Sequence, residues 1–446
     1  MGGAAMIQLV ARGQEDIYLT DKPQVTFFKV VYRRHTNFAT ETIPQRPDGP
    51  VAFGEKVTCR LSKAGDMVGK VVVQVDLPAI PRFVTDGEVD QLKKVAWVRH
   101  VGYRLIKAVS VEIDNKTIDT HLGEWMYIWS HLTRGPIDKM IGNVPALYQF
   151  TNGKSGYRLW IPLEFWFCRH TSLAIPIVAL TNSEVTITLH FNRAEDCYRL
   201  SPTHSSTVTE DLVPFQEGDI VMQGDNRIDV ARYDFAAERL YYQRQTPVTA
   251  GRVTSQWGSF SIEAERAERI SVPPLSLQAI LHVEYIYLDA EERTALTAPQ
   301  EYIIEQVQTS TVRSIVGSQV SHRLSLSHPC KAVYWRAVDA DGSNLVSTAQ
   351  LSIDGYQQPN RSSMFYSAVT VNRHHTGASD STIHLHSFSL FPERYQPSST
   401  LNASHINDLR LSLTLEPRHA PATLNVYVLS YNVIRYCMGM GGLAFV

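Results

Sequence analysis

Val109-Ser110-Val111-Glu112-Ile113-Asp114-Asn115-Lys116-Thr117-Ile118 is the stretch whose pattern decides the fold. Val109, Val111 and Ile113 alternate with Ser110, Glu112 and Asp114, the two-residue period of a strand with one apolar and one polar face. Asp114-Asn115-Lys116 supplies turn residues and Thr117-Ile118 starts the return, so the stretch predicts a β-hairpin. The design recurs downstream. Ala349, Leu351 and Ile353 alternate with Gln350, Ser352 and Asp354, and Asp354-Gly355 makes the turn. The pair predicts corresponding hairpins in two similar all-β domains.

The segments on either side repeat in the same order. Strand patterns at Val57–Leu61 and Lys70–Leu77 precede the first hairpin. Tyr302–Gln308, Arg323–Leu326 and Ala332–Ala337 precede the second. After each hairpin come a turn-rich or helical excursion, an aromatic strand, and a strictly alternating strand. Trp160–Phe167 answers His386–Phe391, and Val185–Phe191 answers Leu409–Leu415. Strands are also expected at Val25–Val31, Ala174–Leu180, Leu281–Leu288 and Leu424–Val433. One helix is expected in the first half, because Trp125, Ile128, Trp129 and Leu132 fall at i, i+3, i+4 and i+7; Gly135-Pro136 ends it. About eight short strands per ~200 residues predicts a jelly-roll sandwich in each half. The organisation reads as 1–24, an N-terminal arm; 25–200, the first jelly roll; 201–275, an interdomain connection with an inserted surface loop; and 276–446, the second jelly roll beginning near Leu281.

Composition removes several function classes. The 446 residues are 44% hydrophobic, and 42 Lys plus Arg stand against 44 Asp plus Glu for a net charge of -2. With no long basic run, direct nucleic-acid binding is not expected. No apolar run approaches the ~18–20 residues of a membrane-spanning helix. The N-terminus shows no basic segment followed by an apolar core, so no secretory signal is expected. Met6 stands where N-myristoylation of Gly2 calls for Ser or Thr. The five cysteines, Cys59, Cys168, Cys197, Cys330 and Cys437, are widely spaced and are expected as buried free thiols.

Motifs for chemistry are near-misses. Gly153-Lys154-Ser155 lacks the first glycine of a phosphate loop, because Tyr148 occupies that position. Gly439-Met440-Gly441-Gly442 has too little chain after it for a phosphate-binding helix and reads as a kink that tucks in the C-terminus. His384-Leu385-His386 with Glu393 approaches the metal set of cupins, but Glu393 lies beyond Pro392 and no third histidine is placed. No catalytic site, metal or cofactor is expected. Asn115, Asn360 and Asn402 open Asn-x-Ser/Thr sequons and are candidate glycosylation positions. Arg33, Arg34 and His35, at the start of the first sandwich, are candidate subunit contacts. Solvated strand-end charges explain them equally well.

Four blocks carry a resemblance. Ile7-Gln8-Leu9-Val10-Ala11, Asp16-Ile17-Tyr18-Leu19-Thr20 and Thr26-Phe27-Phe28-Lys29 through Phe38 resemble the opening of the major capsid proteins of nucleocytoplasmic large DNA viruses. Tyr287-Leu288-Asp289 with Glu301-Tyr302-Ile303-Ile304-Glu305 is similar to the start of that family's second jelly roll. His386-Ser387-Phe388, Pro392-Glu393, Gln396-Pro397-Ser398 and Asn402 resemble its late motif, and Gly439 to Phe445 its C-terminal signature. Ser399 stands where that motif has Gly, and Ala403 and His405 also depart from it.

The resemblance implies a structural subunit that self-assembles as a homotrimer. Six similar sandwiches would give it a pseudo-hexagonal outline, and such capsomers would tile an icosahedral virion shell assembled in the host cytoplasm. Its implied partners are neighbouring capsomers, minor capsid and penton proteins, and the internal viral membrane through the N-terminal arm. Two other readings stay open: a cupin-like metal enzyme and a carbohydrate-binding jelly-roll module.

Overall fold

The structure, a computed structural model, describes residues 3–11, 20–30, 32, 34–85, 87–90, 92–135, 137–209, 215–224, 226–235, 237–244, 247–268, 270–338, 342–416 and 422–445. The chain divides into two units, 1–38 and 39–446. In the first unit, Gly3–Val10 is helical. The strand expected at Val25–Val31 is not formed: residues 25–30 are irregular, and Val31 lies outside the described residues. Phe27 and Phe28 are 93% and 98% exposed. High β-propensity does not make a strand where the backbone N–H and C=O groups have no neighbouring strand to bond.

The second unit contains two sandwiches. The strands of the first are β1 (Phe38–Gln45), β2 (Lys56–Arg60), β3 (Met67–Leu77), β4 (Ile106–Ile113), β5 (Lys116–Leu122), β6 (Tyr157–Pro162), β7 (Val185–Phe191) and β8 (Gln278–Leu288). Its sheets run β1-β8-β3-β6 and β2-β7-β4-β5. The second contains β9 (Gln300–Ile315), β10 (Gln319–Arg323), β11 (Pro329–Val338), β12 (Val346–Ile353), β13 (Tyr356–Gln357), β14 (His384–Ser387), β15 (Leu409–Leu415) and β16 (Ala422–Cys437), in sheets β9-β16-β11-β14 and β10-β15-β12-β13. Each sandwich pairs its first, eighth, third and sixth strands in one sheet and its second, seventh, fourth and fifth in the other. This is the jelly-roll order, present twice. The inward positions of facing sheets fill each core: Val73, Val75, Val111 and Ile187 in the first, Val333, Trp335, Leu411 and Val426 in the second.

Both hairpins are as the sequence predicts. Ile113 pairs with Lys116 across Asp114 and Asn115, at φ 51° and 61°; Ile353 pairs with Tyr356 across Asp354 and Gly355, at φ 46° and 86°. Two central residues with positive φ twist with the strands, which is why Asp, Asn and Gly occupy these turns. The turn aspartate also does the same second job in each sandwich. Asp114 Oδ1 accepts from Glu184 N (3.0 Å), just before β7, and Asp354 Oδ1 accepts from Asn407 N (2.9 Å) and Asp408 N (2.8 Å), just before β15. Hydrogen bonds from Ser183 and Glu184 hold the Asp114 carboxyl below the usual carboxylate range.

Three expectations are corrected. The strand at Leu281–Leu288 does not open the second half. As β8 it pairs with β3, Leu281 opposite Val73, and completes the first sandwich. Residues 201–275 therefore interrupt the first sandwich between β7 and β8, and they fold. The strands Gly258–Ile262, Gly251–Ser255, Ile220–Gln223, Asn226–Asp234, Arg239–Arg244 and His204–Thr207 pair side by side in that order, and the last meets the first through Glu263 N to Thr207 O (2.9 Å) and Thr209 N to Ser261 O (3.0 Å). The sheet closes into a small barrel around its own core, including Val221, Ile228, Leu240, Tyr242 and Phe260. Its strands are short and one is bulged between Val230 and Arg232, which hides the two-residue period. Finally, Ala174–Leu180 is not a strand. Ile175 makes one bridge to Val68, and after Pro176, which has no N–H to give a ladder, Ile177–Ala179 forms a 3-10 turn.

Candidate functional site: the junction of the two sandwiches

The two sandwiches meet in one extended contact, built from residues far apart in the chain. The expected helix forms as α1 (Gly123–Thr133), directly after β5. Its first residue must be glycine, because a Cβ there would run into the carbonyl oxygens of Tyr103 and Ile106. Trp125, Ile128, Trp129 and Leu132 point away from their own sandwich and pack on the outer face of the β9-β16-β11-β14 sheet, against Ala332, Tyr334, Leu385, Tyr427 and Leu429. The Trp125 ring lies 5.2 Å from Tyr334 and 5.7 Å from Tyr427. At the far end, Gly377 N donates to Leu132 O (2.7 Å), so closely that a Cβ at Gly377 would collide with the helix backbone.

Polar bonds around this apolar patch set its register. Glu124, in the first helical turn where an anion is favoured, takes a salt bridge from Arg336 (3.0 Å) and hydrogen bonds from Asn425 and Tyr427 (2.8 Å). Tyr127 donates to Asp380 (2.6 Å). Deeper in, Glu305 accepts from Arg169 of the first sandwich (2.7 Å) and from the fully buried Lys331 of the second. Burial pulls the Lys331 ammonium down, and the Glu305 carboxylate opposes that shift. Arg169 also lies 4.4 Å over the Trp129 ring. Buried ion pairs add little net stability, but losing one partner is costly, so they specify one arrangement over others. At the opposite edge, Asn182 N donates to Gly439 O (3.0 Å), and side chains at Thr181 and Asn182 leave no room for a Cβ at Gly439. The Gly-Met-Gly-Gly kink therefore ties the C-terminal hairpin to the first sandwich. The sequence does not disclose Glu124, Arg169, Glu305 or Lys331 as a group, because each pairs with a residue more than a hundred positions away or on another strand.

Residues 26–219 match the family "Major capsid protein N-terminus", and residues 336–442 match "Large eukaryotic DNA virus major capsid protein". "Probable capsid protein 4" of Acanthamoeba polyphaga mimivirus is 40% identical over 99% of this chain and 98% of its own length. The "Major capsid protein" of Pyramimonas orientalis virus is 31% identical over the full length of both. This chain belongs to the major capsid protein family of large eukaryotic DNA viruses. Two solved capsid structures share its fold. That of PBCV-1 has a TM-score of 0.68 at 23% identity over 94% of this chain and all of the other, and the Faustovirus major capsid protein has 0.61 at 12% over 96% of each. As a member of the family the protein is a structural component of the virion capsid, not an enzyme.

The individual candidates fall as follows in this capsid protein. Asn115 is exposed at the tip of the β4–β5 hairpin, Asn360 is exposed after β13, and Asn402 is exposed with its Oδ1 accepting from Ser404 N (3.1 Å). Arg34 and His35 are exposed in the first unit; Arg33 lies outside the described residues. The cupin-like set does not assemble. His384 is buried, bonds Ser363 Oγ (2.7 Å) and stacks on Trp335, while Glu393 pairs with His375 (3.0 Å). Among the described residues no cluster of three metal-ligating side chains occurs. Lys154 is a structural lysine, donating to Ala146 O (2.9 Å).

Proposed function

We propose that this capsid protein assembles as a homotrimer of pseudo-hexagonal outline that tiles an icosahedral shell. The observation that carries it is the identical strand order of two sandwiches joined by α1 and the Glu305 ion pairs. Two like halves let a threefold assembly imitate a sixfold one, and closed symmetry then needs only head-to-tail contacts between copies. The sandwich boundaries we assign are 38–288, with the barrel inserted, and 300–445. Neighbouring capsomers and minor and penton capsid proteins are its further partners, with assembly in the host cytoplasm. The N-terminal arm leads into residues 25–38 of the first unit, where the exposed Phe27, Phe28, Lys29 and Arg34 have the aromatic and basic chemistry of a segment that meets a lipid surface. Arg33, Arg34 and His35 serve there as contacts. The exposed Asn115, Asn360 and Asn402 are the positions open to glycans; an intact mass equal to the bare chain would overturn that assignment. Light scattering of the purified chain tests the assembly. Three 50.2-kDa chains per particle is the expected result, and a monodisperse monomer at high concentration would overturn it.

A further inference from the structure

The two sandwiches have corresponding outer faces, and among the described residues a helix crosses only one. In the second sandwich, strands six, three and eight line up as Leu385–Tyr334–Tyr427, with Ala332–Leu429 and Arg336–Asn425 on the adjoining rows; α1 covers all of them. The same strands of the first sandwich line up as Trp160–Gln74–Ile280, Pro162–Val72–His282 and Arg158–Asp76–Gln278. Trp160, Val72, Asp76, Ile280 and His282 of this face are half-buried, Arg158 and Gln278 are exposed, and Gln74 and Pro162 are buried. Its side chains bond one another: the Trp160 and His282 rings lie 5.0 Å apart and tilted, His282 bonds Gln74 (3.0 Å), and Arg158 pairs with Asp76 (2.7 Å). Among the described residues no helix lies across it as α1 lies across its counterpart.

The covering element has a counterpart too. α1 joins strands five and six of the first sandwich. The same connection in the second holds the helical run 363–374, formed by Phe365–Val369 and Thr370–His374. Tyr366 and Val371 face inward and are buried, while Met364 (72% exposed) and Val369 (54% exposed), with Asn372 and Arg373, form an outward stripe four to five residues apart. The stripe has no acidic residue, and the open face has Asp76 and Glu284.

We propose that the outer face of the β1-β8-β3-β6 sheet is the seat for the helical run 363–374 of a second copy of this chain, repeating between subunits the contact α1 makes within one. The inference rests on the trimer reading, since only a ring of alternating first and second sandwiches presents each open face to the next copy's helical run. The occupant is a second copy because the seat corresponds row by row to one that the chain already fills with the corresponding element.

The test compares full-length wild type with a Met364→Asp, Val369→Asp double variant by light scattering over a dilution series. It adds a photo-crosslinker, p-benzoylphenylalanine, in place of Val369, in a mixture of light and heavy-isotope chains. Two charges in a desolvated contact should raise the concentration at which the trimer dissociates by about 100-fold or more. Diluted until both are monomeric, wild type and variant should melt at the same temperature, because both side chains are exposed in the single chain. Crosslinks should join light to heavy chains, at peptides containing 70–76, 157–162 or 278–284. A wild-type trimer left intact by the double variant, or crosslinks confined to one chain or landing elsewhere, would overturn this seat alone. A wild-type chain that stays monomeric would overturn the trimer reading and the seat with it.

Discussion

The turn aspartates offer a quantitative test of how each jelly roll is closed. Asp354 has two separable jobs: it occupies a left-handed backbone position at φ 46°, and its carboxylate holds the N–H groups of Asn407 and Asp408 at the start of β15. Asp354→Ala removes both. Hydrogen bonds to a charged group contribute about 1.5–3 kcal/mol when buried, and in this exposed turn we take about 1 kcal/mol each. A β-carbon without a polar tip in the left-handed region costs about 1 kcal/mol more. The expected loss is therefore about 2–4 kcal/mol. Asp354→Gly removes the bonds but relaxes the backbone, so it should lose about 1 kcal/mol less than alanine. Asp354→Asn keeps an acceptor oxygen and tolerates positive φ, so it should lose under about 1 kcal/mol. Urea midpoints give the order, and native-state hydrogen exchange over Leu409–Leu415 locates it. Opening of β15 should become easier in Asp354→Ala while β7 is unchanged, and the mirror result should follow from Asp114→Ala. An alanine variant no weaker than the asparagine variant, or a glycine variant weaker than the alanine one, would refute the assignment.

Other expectations follow from single environments. Burial pushes His384 down to about 4, and His100 and His386 likewise, against an ordinary value near 6.5. The unfolded chain thus binds protons that the folded chain refuses, so stability should be full above pH 6.5 and fall toward pH 4. For His384 the loss is of order 3 kcal/mol, and urea midpoints of His384→Gln should show a flatter fall over that window. Ser399 sits at φ 87°, where its resemblance to the family leads one to expect Gly; Ser399→Gly should raise stability by up to about 1 kcal/mol in the same assay. Burial lifts the Cys59 thiol to about 11 and Cys168, Cys197 and Cys330 to about 12, so a thiol reagent at pH 7 should label Cys437 first and the other four only in denaturant. Trp125→Ala should cost about 3–5 kcal/mol by opening a cavity between the sandwiches, read as loss of a single cooperative unfolding transition.

What the sequence disclosed follows from the range of the interactions concerned. The β4–β5 and β12–β13 hairpins were legible because both their period and their turn chemistry lie within ten residues. α1 was legible because one face of one helix holds Trp125, Ile128, Trp129 and Leu132. The strand at Leu281–Leu288 was legible as a strand, but its sandwich was not, since its partner Met67–Leu77 lies across the whole barrel insertion. The barrel was hidden by strands of four to nine residues and a bulge. Val25–Val31 misled in the opposite way, having the propensity of a strand while residues 25–30 have no strand beside them among the described residues. At the junction, Glu124 and Arg336 look like ordinary surface charges until the fold brings them within 3.0 Å.

The contrast between the two outer faces also explains their compositions. The face under α1 is sealed during folding of one chain, at an effective concentration no second molecule can match, so it can be dry and aromatic: Tyr334, Tyr427 and Leu429 against two tryptophans. The open face must remain soluble until another copy arrives. Its central row sets Gln74 between Trp160 and Ile280, with Asp76, Arg158 and His282 on the rows beside it, a far more polar face than the one under α1. Two faces with one topology and one register have thus diverged in polarity according to whether the partner is tethered or free. Exchanging the polarity should have opposite costs. A Gln74→Tyr change should promote premature association of the free chain, and a Tyr334→Gln change should leave an unpaired amide against Trp125 and loosen the chain's own sandwiches.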